Sequence, residues 1–159
     1  MNHSISIVEV IQLMLAPGLM ISACGLLLLG MNNKYSLVVN RIRLLNEEKR
    51  RITQRSGGKD FSYEETVRLE SISLQMRQLE FRVRLVKNAV LFYTLAVALF
   101  VLTSLSIGSQ FITGSLNLNY VTTLLFLIGM VFVLVGVAYA AYETIKGYQI
   151  VKLEVKAEE

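Results

Sequence analysis

The chain has one cysteine, one histidine, one proline and no tryptophan. A lone Cys24 excludes an intramolecular disulfide framework and any cysteine-cluster metal site. A lone His3, in the N-terminal tail, leaves haem ligation inside an apolar segment and a histidine-based metal site without ligands. Charge is scarce too, at 18% of residues, where soluble domains carry about 25%. It is absent in blocks: no Lys or Arg precedes Lys34, and none lies between Asn88 and Tyr142. Nucleophile–base pairs, a glycine-rich phosphate loop and paired carboxylates within the apolar runs are all missing. The expectation is therefore no enzyme, no cofactor and no metal. Proton-coupled transport is disfavoured as well, because the apolar interiors hold no Asp, Glu, Lys, Arg or His to relay a proton.

What is present is hydrophobic sequence, 53% of 159 residues, more than a soluble core requires. Val10 to Asn33 gives 24 residues without charge, and a spanning helix needs about 20. Asn88 to Tyr142 gives 55 more, about 80 Å as one helix, which exceeds a bilayer and requires two spans. Gly108, Ser109, Gln110, Gly114, Ser115, Asn117 and Asn119 mark the turn between them. The spans are thus placed at about 10–33, 89–107 and 120–142.

Within the first span, Pro17 and Gly18 predict a hinge, since proline removes a backbone hydrogen bond and its ring displaces the preceding turn. Gly18, Ser22 and Gly25 then share one face, which admits close approach of another helix. Glu9 is read as a rim charge; with Gln12, Asn32 and Asn33 it forms the alternative, a pore mouth at either end of a pathway in an oligomer. Ile21-Ser22-Ala23-Cys24 matches a lipoprotein cleavage box, but no basic residue precedes it and the apolar run continues through Leu29. A small buried thiol is the reading adopted for Cys24. In the third span, Gly129, Gly136 and Ala140 are read as a packing face.

Residues 34–87 hold 13 of the 16 Lys and Arg residues and seven acidic ones, a net charge of +6. Val38, Ile42, Leu45 and Ile52 recur near the helical period, and the helix should end around Ser56-Gly57-Gly58. Ser62 and Glu65 form a capping box for the next. Leu69, Ile72, Met76, Leu79, Val83, Val86 and Val90 follow in alternating steps of three and four, a coiled-coil seam. The two arms are expected to fold as an antiparallel hairpin, with Arg41, Arg43, Arg82 and Arg84 ringing its foot and Glu80 placed to neutralise one of them. Interleaved acids argue against nucleic acid; the arginines are candidate contacts for anionic lipid of the cytoplasmic leaflet, or for another anion.

The tail, 143–159, extends the third helix, and Ile145, Tyr148 and Leu153 are expected to pack on the hairpin. Placing every basic residue on one side puts the N-terminus outside and both hairpin and C-terminus in the cytoplasm. The predicted fold class is an all-α membrane protein: three transmembrane helices with a cytoplasmic antiparallel coiled-coil hairpin between spans one and two.

The run IQLMLAPGLMISACGLLLLGMNNK followed by VVNRIRLLNEE resembles an uncharacterised family of small bacterial membrane proteins with three spans and a charged insert after the first; Pro17, the 21–29 stretch, Asn33, Arg41, Arg43 and Leu45 carry the resemblance. It implies a bacterial inner-membrane protein and transfers no catalytic or binding residue. Two functions remain in view: a homo-oligomeric scaffold or accessory protein whose hairpin docks sister subunits or another membrane or cytoplasmic protein, and an oligomeric ion channel lined by the first span.

Overall fold

On the first helix the buried positions recur every seven residues. Pro17, Cys24, Met31, Val38 and Leu45 all lie inward along α1, Ile7–Arg55, and the charges and most of the leucines lie between them. A repeat of seven keeps one stripe of an α-helix against a neighbour over many turns. That neighbour is α2, Tyr63–Thr113, whose own buried stripe runs through Ile72, Val86, Tyr93 and Phe100 at the same interval or its multiple. The pairing is antiparallel: Glu48 meets Arg68 at one end, Met31 packs with Val86 and Ala89, and Cys24 packs with Ala96 and Phe100.

This computed structural model describes residues 7–55, 62–113 and 119–157, with side chains of 111–113 and 148–157 left aside. Its third helix, α3, Asn119–Ala157, returns along the other side of α2. Gly129 and Gly136 present bare backbone to Phe100 and Tyr93. Phe92 lies between Phe132 and Tyr139, edge-on to the first and stacked on the second, both at 5.7 Å between ring centres. Nearer the α2–α3 connection, Ser106 and Thr122 hydroxyls are 2.7 Å apart and Gln110 donates to Thr122 at 3.0 Å. The middle helix is therefore buried on two sides, while α1 and α3 barely touch.

All three helices are long and apolar enough to cross a membrane, which is compatible with a multi-pass membrane protein. They also run past the apolar runs: α1 has 49 residues, about 70 Å of helix against a hydrocarbon thickness of about 30 Å. Neither Asn33 nor Asn88 interrupts its helix.

Three local expectations need correction or completion. Gly108, Ser109 and Gln110 belong to the last turns of α2 rather than to the turn, because Ser109 caps back onto the Ser106 carbonyl and Gln110 is held by Thr122; residues 114–118 of that expected turn lie outside the described residues, and Asn119 opens α3. Ile145, expected to pack on the hairpin, is exposed, since Glu143 and Gly147 turn the inward face of α3 away from it; Tyr148 and Leu153 have no described side chains. The capping interaction at Ser62 is present, with its backbone N–H donating to the Glu65 carboxylate at 3.1 Å. Residues 56–61, including the expected helix stop, and His3 lie outside the described residues.

Candidate functional site

Glu143 continues the inward face of α3, seven residues beyond Gly136, and its side chain is 1% exposed. A buried carboxylate is costly unless every lone pair is engaged by cations or donors. Two helices supply them. Arg82 on α2 donates from Nε at 3.1 Å and Nη2 at 2.7 Å to Oε1. Lys34 on α1 donates to Oε2 at 3.1 Å and, with another proton, to the Thr144 hydroxyl at 2.9 Å. Thr144 is oriented for this by its own donation to the Ala140 carbonyl at 3.0 Å. Each carboxylate oxygen is thus claimed by a different helix. Among the described residues no buried side-chain nitrogen or oxygen is left without a partner.

The cluster joins α1 to α3, which otherwise meet at few points, and it sits where the three apolar runs end. Glu143 lies one residue beyond the third run; burial pushes its carboxyl up, and hydrogen bonds and charge from Arg82 and Lys34 outweigh this and hold it below its usual 4.5. Gly147 completes the arrangement one turn further on. A Cβ there would lie 3.0 Å from Arg82 Nη2, so the missing side chain leaves room for the guanidinium to reach across.

Of the four arginines expected at the foot of the hairpin, Arg82 alone turns inward; Arg41, Arg43 and Arg84 are exposed. Glu80, the expected neutralising residue, is exposed as well, and Glu143 takes that part. The reason is placement: Glu80 lies off the buried stripe of α2, whereas Glu143 lies on that of α3. Glu9, Gln12, Asn32 and Asn33 are all exposed on α1, the first two near its start and the last two in its middle. Pro17 is buried within an unbroken helix, with Gly18 exposed beside it. Gly18 and Gly25 face open space, so neither α2 nor α3 uses that small-residue face.

Cys24 is a free buried thiol packed against Ala96 and Phe100. Among the described residues no group of three or more His, Cys, Asp or Glu could hold a metal ion. The sequence signal for the missed site is the interval itself: Gly129, Gly136 and Glu143 are successive sevens.

A family model described as "Protein of unknown function (DUF2721)" matches residues 14–153. No curated protein and no solved structure matches the chain.

Proposed function

The chain belongs to this family of unknown function, and we propose that it is an integral membrane scaffold or accessory subunit, homo-oligomeric, presenting a coiled-coil hairpin on the cytoplasmic side of a bacterial inner membrane. The observation that supports this reading is a buried stripe that crosses from apolar into charged sequence without a break: Pro17, Cys24 and Met31 precede the first basic residue, and Val38 and Leu45 follow it. Seven-residue spacing is that of a coiled-coil seam. A continuous seam fixes the hairpin relative to the spans, so that whatever docks on the arms is held at a set height above the bilayer. The basic block 34–87 keeps the arms on the cytoplasmic side. Leu37 and Leu44, 70% and 62% exposed on the arm, offer apolar contact to a partner.

A channel lined by α1 has less support. The exposed face of that helix between Gln12 and Asn32 carries Leu15, Leu19, Leu26 and Leu29, where a pore wants a continuous polar stripe.

Native mass spectrometry of the full chain in nanodiscs, combined with photo-crosslinking from position 44 in cells, tests the reading. An oligomer or a defined crosslinked partner is expected. A monomer with no crosslink overturns it, and discrete planar-bilayer conductance altered by Glu9→Gln replaces it with the channel.

A further inference from the structure

Because α1 and α3 each pack on α2 and scarcely on one another, a cleft of about 380 Å³ opens between them beside the charged cluster. Its apolar side is Leu37 and Val38; its polar side is Lys34, Arg82, Thr144 and the Glu143 carboxylate that the two cations hold, with Gly147 contributing no side chain. Two cations face one carboxylate here, so the site holds a net positive charge. Donors are also in surplus. A guanidinium has five N–H groups and an ammonium three, whereas Glu143 and Thr144 take two from Arg82 and two from Lys34. Lys34 is 43% exposed and Arg82 24%, and both line the cleft.

We propose that this cleft binds the phosphate group of an anionic lipid, the acyl chain lying toward the apolar halves of α1 and α3. Phosphate matches spare N–H donors on an arginine and a lysine, which together offer both charge and directed hydrogen bonds. The cluster lies where the apolar runs end, at the depth of lipid headgroups. The assignment rests on the membrane reading above, and it goes beyond it by choosing Lys34 and Arg82 over the exposed arginines Arg41, Arg43 and Arg84.

The test reconstitutes the full chain in nanodiscs of phosphatidylcholine with about one fifth phosphatidylglycerol, and native mass spectrometry counts the lipids that survive removal of the disc. Wild type should retain phosphatidylglycerol in preference to phosphatidylcholine. Lys34→Gln should reduce that preference about fivefold, Lys34→Arg should restore it, and Arg84→Gln should leave it unchanged. Thr144→Val, an exposed change, frees the Lys34 proton that the hydroxyl accepts and gives an independent reading should Lys34→Gln fail to fold: it is expected to raise retention. Equal retention in the Lys34 and Thr144 variants, or loss in Arg84→Gln alone, overturns the cleft. Displacement of the lipid by millimolar inorganic phosphate overturns the lipid assignment in favour of a soluble phosphate. Failure of the chain to enter nanodiscs at all overturns the membrane reading and this inference with it, whereas insertion without phosphatidylglycerol preference overturns this inference alone.

Discussion

Gly136 on α3 lies against the ring of Tyr93 on α2, so close that a Cβ on the glycine would come within 2.7 Å of Tyr93 Cε1. One repeat away Gly129 stands in the same relation to Phe100, at 2.8 Å. Both rings are fully buried and cannot swing clear. The two helices therefore interlock by ring against backbone, which brings α3 near enough to α2 for Glu143 to reach Arg82 a further repeat along.

Gly136→Ala should destabilise the bundle by about 1–3 kcal/mol, the usual cost of overpacking a filled site. The readout is a thermal melt of the purified protein in detergent, and Gly25→Ala, where a Cβ meets nothing within 4 Å, is the control that should stay unchanged. Adding Tyr93→Leu to Gly136→Ala should recover part of the loss. A melt that Gly136→Ala leaves in place would sink the close approach.

Adjacent leucines on the charged half of α1 test the seven-residue register. Leu45 is 4% exposed and Leu44 62%. Leu45→Ala should cost about 2–4 kcal/mol through the cavity it leaves, and should open the arms to protease. Leu44→Ala should move stability by no more than about 0.5 kcal/mol. Similar effects at both positions would mean that α1 does not present this stripe to α2.

Part of the buried stripe and the glycine face were legible in the sequence because both are periodic, although Leu69, Met76, Leu79, Val83 and Val90 of the expected seam are only half-buried. Val38, Leu45, Ile72 and Val86 are apolar at intervals that only one helix face can satisfy, and each is buried. Gly129 and Gly136 were legible as packing residues, although their aromatic counterparts were not: sequence spacing gives the face of one helix and says nothing of the register of the next. Glu143 was hidden by its position at the edge of a charged tail, where an acidic residue reads as solvated. Its burial depends on where Lys34 and Arg82 stand, 109 and 61 residues away. The exposed Arg84 and the inward Arg82 are two residues apart, so charge counting treats them alike while the helix puts them on different faces.

The two cations of the cluster should differ in weight. Arg82→Met leaves a carboxylate that is 1% exposed without the partner of its Oε1 atom, at a cost of about 2–4 kcal/mol. Lys34 is 43% exposed, so solvent replaces much of what Lys34→Met removes, and about 1 kcal/mol or less is expected. Arg82→Lys should not rescue, since two guanidinium nitrogens hold one oxygen and an ammonium cannot reproduce that fork. Equal losses in denaturation of Arg82→Met and Lys34→Met would contradict the geometry.

Acid should release α1 from α3 by way of the same carboxylate. Burial raises the Glu143 pKa, and hydrogen bonds and charge from Arg82 and Lys34 outweigh it, leaving it below its usual 4.5 in the folded chain. A group with a depressed folded pKa contributes stability that is fully present above its unfolded pKa and is lost as pH falls through the folded value. Spin labels at the exposed positions 37 and 145, one on each helix, should therefore report a constant distance from pH 8 down to pH 5.5, and separation only below 4.5. Glu143→Gln should remove that acid transition, because an amide has no proton to gain there. Separation already near neutral pH would mean that the cations do not hold the carboxyl down, and that α1 and α3 are joined by something other than its charge.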